Sequence, residues 1–356
     1  MPGAHRRLSL TAAVLLSSLI GACAGTGSAE KAPAAAAPER PPVPEVPAEE
    51  VRAQIAVFVD ELARAHGFDR DEVAALIDSA DVREDILAAM TRPAEAKPWY
   101  RYRPIFLTAD RIRDGVAFWS ANAALLERAE AQYGVPPAII TAIIGVETSY
   151  GRITGRHRVL DALVTLGFHY PPRAAFFRSE LGEFLLLARE EGLDPQSVTG
   201  SYAGAMGKGQ FISSSYRHYA VDFDGDGRRD LLGSNADAIG SVANYFREHG
   251  WRTGEAVAVP AQVSGEPAPA LAGERLKPTH TVADLRAAGV EPATALPGAA
   301  PATLITLEQE NGPEYWVGLT NFYVITRYNR SPLYAMAVYQ LSEALREARA
   351  RGETPR

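Results

Sequence analysis

The chain has 356 residues, of which 47% are apolar and 22% charged, so it holds enough material for two or three compact units. Its net charge of −7 excludes nucleic acid as the main partner, because neutralising phosphates requires a basic surface. A single cysteine, Cys23, excludes an intramolecular disulfide and, with no nearby histidine, a zinc site.

The chain opens with Arg6 and Arg7 before a short apolar stretch, Leu8 to Ile20, which is too short to span a bilayer as a stable helix. Ile20-Gly21-Ala22-Cys23 then resembles the box of a bacterial lipoprotein signal, in which cleavage precedes the cysteine and the cysteine is acylated. The alternative is an ordinary secretory leader with an incidental cysteine. Several acyl chains on Cys23 would hold the protein at a membrane, whereas one would be marginal. Ala24, rather than Asp, follows the cysteine. By resemblance to bacterial sorting this implies a lipoprotein on the periplasmic face of the outer membrane of a Gram-negative cell. Removal of residues 1–22 takes Arg6 and Arg7 with it, so the net charge becomes −9.

Residues 23–50 are rich in Ala, Pro and Glu without period and read as a tether. A helical part is expected over 51–133. Val51, Ile55, Phe58, Val59 and Leu62 form a one-sided stripe. Shorter helices are expected near 69–78 and 81–90, then one long helix from Thr108 to Tyr133, stopped by Gly134. Pro136-Pro137 opens the most apolar helix, since proline suits a first helical turn. Further helices are expected at about 173–190, 211–219, 235–249 and 331–349. Residues 253–318 change to Ala, Pro, Val and Gly and read as a small β-containing insert, with strands at Thr303–Leu307 and Tyr315–Val317. Residues 351–356 are a tail.

Glu147 ends the apolar helix, with Ile144, Ile143 and Ile140 as its helical neighbours. Desolvation there would raise its pKa and keep it protonated near neutrality, as a general acid requires. The alternative is a glutamate reaching solvent or pairing with Arg152. Two further segments bear on the choice. Gly200 to Phe211 carries four glycines among its first ten residues, which permit close backbone approach, together with Ser201, Tyr202 and Gln210. Asn321 to Ser331 clusters aromatics with amides, and Tyr334 follows; such faces suit sugar rings bearing N-acetyl groups, or else pack a core.

Gly145-Val146-Glu147-Thr148-Ser149-Tyr150-Gly151-Arg152, Ser201–Phe211, Asp237–Trp251 and Asn321–Ser331 together resemble, in order, the membrane-bound lytic murein transglycosylase B family, over about residues 51–350. The resemblance implies a mainly α (α+β) fold: a lysozyme-like core over 134–252 and 319–350, an added N-terminal helical part and the small β-containing insert. It implies a lyase that cleaves the β-1,4 bond between N-acetylmuramic acid and N-acetylglucosamine of peptidoglycan, leaving a 1,6-anhydromuramic acid end without water and without a catalytic cofactor. The family's single catalytic glutamate matches Glu147. Ser201 and Gln210 match polar contacts near the scissile sugars. Tyr102, Tyr245, Tyr328, Asn329 and Tyr334 match groove residues, with Met206 and Phe211 lining the groove. No second carboxylate is found in the glycine-rich or tyrosine-asparagine segments, as expected where the substrate's own N-acetyl group stabilises the charge at C1.

Asp222-Phe223-Asp224-Gly225-Asp226-Gly227 matches the opening of an EF-hand loop, with acids at alternate positions and glycine at the sixth. Arg228 would offer its backbone carbonyl. Gly233 stands where a bidentate glutamate is usual, and the resemblance implies closure by Asp237 instead, holding a structural Ca²⁺. The alternative is a solvated acidic turn. Competing functions are a hydrolytic muramidase using the same glutamate with water, and a non-catalytic peptidoglycan-binding lipoprotein. A calcium sensor is disfavoured by the presence of one loop rather than a pair.

Overall fold

The computed structural model describes residues 44–91, 97–265, 271–272 and 276–352; Cys23, its leader and most of the tether lie outside them. The first part is built of α1 (Ala48–His66), α2 (Arg70–Asp78), α3 (Glu84–Thr91), α4 (Trp99–Phe106), α5 (Ala109–Ala121) and α6 (Ala123–Tyr133). Helix α1 buries Val51, Phe58, Val59 and Leu62 and ends at Gly67 in the left-handed conformation. Asp69 caps α2 through the N–H groups of Asp71 and Glu72.

The long helix expected over 108–133 is two helices. Thr108 caps the first as expected, by accepting from the N–H of Arg111, but the backbone leaves helical geometry at Asn122 (φ −118°, ψ 22°). The Asn122 side-chain amide donates to the Phe118 carbonyl at 2.8 Å, offering the backbone an alternative to continued helix. Helix α4 lacks a readable stripe and contains Pro104, which hides it from a periodicity search.

Helix α7 (Pro137–Thr148) forms the centre, with Glu147 as its one residue that is not buried. It packs against α5, α6, α11 (Asn235–Glu248) and α14 (Pro332–Ala350), so it is apolar all round. Strand β1 (His157–Arg158) pairs antiparallel with β2 (Thr199–Gly200), and between them α8 (Val159–His169) packs against α9 (Ala174–Glu191). Ten of the eleven residues of α8 are buried, leaving no exposed stripe to signal a helix. Helix α10 (Ser213–Tyr219) precedes α11.

The insert is larger than two strands. It holds β3 (Ala258–Val263), β4 (His280–Thr281), α12 (Val282–Ala287), β5 (Val290–Pro292), β6 (Pro301–Gln309) and β7 (Gly312–Gly318), with the sheet ordered β4-β6-β7-β3-β5 and every neighbour antiparallel. Both faces are covered. Ala302 and Leu304 of β6 join Val282, Leu285 and Val290 in a satellite core. Ile305 and Leu307 join the main helical core. The chain returns through α13 (Thr320–Tyr328) to α14, whose first turn is capped by Ser331. Among the described residues no helix is long and apolar enough to cross a membrane.

Candidate active site

Glu147 is half-buried at the end of α7, and burial pushes its carboxyl up to about 7. The phenol of Tyr334 donates to Glu147 Oε1 at 2.5 Å and opposes that rise, because it favours the ionised form. No second carboxylate is among the influences on Glu147. Arg152 instead pairs with Asp114 at 2.7 Å, so the surface ion pair considered for Glu147 does not form.

The backbone around the acid is locked. Ser149 and Tyr150 (φ 49° and 63°) and Gln210 (φ 51°) are three of the four non-glycine residues with positive φ among those described. Each such residue costs about 1–3 kcal/mol, so the neighbourhood must over-determine it. At Tyr150 it does. The ring lies between α5 and α7 in a slot made by two glycines. A Cβ at Gly145 would stand 2.6 Å from the ring, and one at Gly115 2.3 Å from the phenol oxygen. The Tyr150 hydroxyl donates to the Arg111 carbonyl at 2.8 Å, and the buried Arg111 guanidinium donates to the Gly145 carbonyl at 2.5 Å. The Phe118 ring stacks on Tyr150 with centroids 5.7 Å apart.

Thr148 joins this helix end to the glycine-rich segment. Its hydroxyl donates to the Lys208 carbonyl at 2.8 Å and lies 3.1 Å from that of Ile144, while its oxygen accepts from the Gly151 N–H at 2.9 Å. Arg111, Thr148 and Tyr150 were not given roles from sequence; the signal available for the last two was the polar run Thr148-Ser149-Tyr150 directly after the acid, and Arg111 had none.

Within the glycine-rich segment, Ser201 Oγ accepts from the N–H groups of Ala203 and Ala205 (3.3 and 3.0 Å), and Gln210 Nε2 donates to the carbonyls of Thr154 and Gly207 (2.9 and 3.0 Å). Both side chains therefore shape the segment. Met206 is fully buried, and Phe211, whose ring meets those of Tyr245 and Tyr328 at 5.8 Å, is nearly so. The two residues exchange both backbone hydrogen bonds at 2.9 Å and so close the segment into a tight loop whose apolar side chains point into the core.

Tyrosines surround the acid. Tyr328 donates to the Gly209 carbonyl at 2.5 Å, and Tyr245 to the Arg327 carbonyl at 2.6 Å. The Tyr245 ring meets Tyr328 edge-on at 4.9 Å and stacks on His249 at 4.0 Å. Burial pushes Tyr102 up to about 12, and the Glu147 charge adds to that rise, as it also does for Tyr328 and Tyr334. Asn329 is buried, and its side-chain oxygen accepts from the Ser331 N–H at 3.1 Å at the start of α14. The structure thus brings Tyr102, Tyr328 and Tyr334 about Glu147, with Tyr245 one ring further out.

Of the acidic loop, Asp222, Asp224 and Asp237 each offer an oxygen within 4.8 Å of the others. Asp226 is not in this group; its carboxylate accepts from the Arg228 N–H at 2.9 Å. Asp237 is buried at the start of α11, accepting from the N–H groups of Phe223 and Asp230 at 2.7 Å each. Phe223 is held by Gly240, where a Cβ would come within 2.4 Å of its ring, and by the Arg128 guanidinium 3.8 Å above it.

The profile of the transglycosylase SLT domain matches residues 50–343. The chain belongs to that family. Membrane-bound lytic murein transglycosylase B of Escherichia coli (strain K12) is 48% identical over 302 residues, covering 82% of each chain. Among solved structures, soluble lytic transglycosylase SltB1 from Pseudomonas aeruginosa is 54% identical with a TM-score of 0.79, covering 84% of this chain and 99% of that one. The Escherichia coli lytic transglycosylase Slt35 in complex with calcium is 46% identical with a TM-score of 0.76, covering 83% and 93%. The fold is accordingly the lysozyme-like one of lytic transglycosylases. The activity is lytic cleavage of the peptidoglycan glycan strand, leaving an anhydromuramic acid end.

Proposed function

We propose that Glu147 performs every proton transfer of this reaction. The observation that carries the reading is a carboxyl held protonated near neutrality by burial, with no second carboxylate acting on it. As the acid, Glu147 gives its proton to the glycosidic oxygen as the C1–O bond of the muramic sugar breaks, and the N-acetylglucosamine end leaves as an alcohol. The carboxylate so formed takes the proton of the 6-hydroxyl, whose oxygen bonds to C1 of the same sugar. Glu147 returns to its starting state, and no water is consumed. The substrate's N-acetyl group stands in for the second carboxylate in stabilising charge at C1.

Tyr334 holds Oε1 of Glu147 by donating to it, which leaves the other oxygen to carry the proton. Tyr102 and Tyr328 flank the acid as faces for sugar rings, and Tyr245 buttresses Tyr328. Ser201, Gln210 and Asn329 shape the polar walls. Mass spectrometry of digested sacculi tests the assignment: Glu147→Gln yields no anhydromuropeptides, and substantial anhydro product from that variant would refute it.

Asp222, Asp224, Asp226 and Asp237 would hold Ca²⁺, with the Arg228 carbonyl as a further oxygen. Oxygens 2.3–2.6 Å from a common ion stand at most about 5 Å apart, which the 4.8 Å cluster satisfies. The ion would supply structural cross-linking of the loop to α11. The calcium complex of Slt35 supports this reading. The membrane-bound relative supports attachment to a membrane, for which the lipoprotein-like box before Cys23 makes that cysteine the acylation site and the periplasmic face of the outer membrane the place. Cys23→Ser should then release the enzyme from the membrane fraction into the soluble periplasm.

A further inference from the structure

A cleft of about 620 Å³ opens between α4, α14 and the tip of the β6–β7 hairpin, lined by Tyr100, Arg103, Glu310, Asn311, Glu314 and Gln340 among others. It mixes both signs of charge with amides and one aromatic face. Arg103 Nε donates to Gln340 Oε1 at 2.7 Å, which holds the guanidinium in place, and its terminal nitrogens have no partner among the described residues. Across the cleft, Glu314 is fixed by the Trp316 indole N–H at 2.6 Å and by the Gln309 amide, while Glu310 at the hairpin tip is exposed with no such tie. The cleft therefore offers a fixed cation on one wall and carboxylates on the other.

The uncharged glycan chain has no use for such a pair. The peptide stems that hang from its muramic acid residues do, because they carry free carboxylates and the ammonium of a diamino acid. The position is suitable. Arg103 is next in sequence to Tyr102, which feels the Glu147 charge. Gln340 lies six residues beyond Tyr334 on α14, about 9 Å along the axis. An extended stem of four or five residues reaches about 13–18 Å.

We propose that this cleft binds a peptide stem of the strand under attack, Arg103 taking a stem carboxylate and Glu310 with Glu314 taking the ammonium. The inference rests on the peptidoglycan activity described above, and it gives the β-containing insert a role: its hairpin supplies the acidic wall.

The test compares two substrates, intact stem-bearing glycan and the same strands stripped of their stems by an amidase. Arg103→Glu and Glu310→Lys should each raise KM on stem-bearing strands about three- to tenfold and leave cleavage of stripped strands unchanged. Glu310→Lys sits on an exposed turn and keeps the test clear of any disturbance of α4. Equal losses on both substrates, or no loss on either, would overturn the proposal. Failure of the wild type to form anhydro ends on stripped strands as well as intact ones would instead count against the activity itself.

Discussion

Replacing Glu147 by Gln separates the chemistry of the acid from its cost. The folded protein holds this carboxyl near pKa 7, against an ordinary value of 4.5. Folding therefore favours its neutral form. Below pH 4.5 both states carry the proton and the group is neutral in its effect. Between 4.5 and 7 the unfolded chain ionises first and stability falls, and above 7 the loss is complete. At 1.36 kcal/mol per pKa unit that loss is about 3 kcal/mol, a ceiling because the carboxyl is only half-buried and partly hydrated. Glu147→Gln keeps the shape and never ionises. At pH 8 it should melt roughly 6 °C above the wild type, and at pH 4 the two should coincide. Thermal unfolding across pH 4–8 by circular dichroism reads the difference directly. A variant no more stable than wild type at pH 8, or one whose advantage does not depend on pH, would refute the claim that burial holds Glu147 protonated.

Tyr334→Phe removes the donor that favours the Glu147 carboxylate, so the acid's pKa rises further and the alkaline limb of the pH–rate profile moves to higher pH; anhydromuropeptide release measured from pH 5 to 9 shows the shift. Gly145→Ala drives a methyl into the Tyr150 ring and should cost about 1–3 kcal/mol in urea unfolding, with a fall in kcat larger than any rise in KM. Ca²⁺ should raise the melting temperature of protein first treated with a chelator, and Asp224→Ala should abolish that rise in differential scanning fluorimetry.

The acid was legible because it breaks a local rule. A glutamate on a helix of isoleucines conflicts with its surroundings, and such conflicts collect at functional sites. The helices with a clear stripe, α1 and α14 among them, were legible for the opposite reason: pattern and fold agree. Helices α8 and α13 were not, since α8 is buried nearly all round and α13 mixes aromatics with β-branched residues that favour strands. Asn122 hid a break, because asparagine interrupts a helix by a side-chain bond that periodicity cannot register. The groove was only half legible. Aromatic content marked Tyr328 and Tyr334 but could not show that both meet Glu147, nor that Met206 and Phe211 are joined by a backbone pairing between residues five apart.

The supports of Glu147 all meet the last turn of α7, yet they come from distant parts of the chain. Arg111 and Tyr150 fix the Gly145 carbonyl and the reversal after the helix. Thr148 ties the same turn to Lys208, whose N–H in turn donates to the Leu231 carbonyl at 3.0 Å and whose ammonium reaches the Gly233 carbonyl at 2.5 Å. Leu231 and Gly233 lie between Asp224 and Asp237, inside the acidic loop. A contiguous set of hydrogen bonds therefore runs from the candidate calcium ligands through the glycine-rich segment to the acid. Loosening the loop should disturb where Glu147 points before it disturbs the helical core, because the core helices are held by apolar burial on which the loop has little purchase. The acid's high pKa comes from the core and its aim from the loops, so the two properties should fail separately.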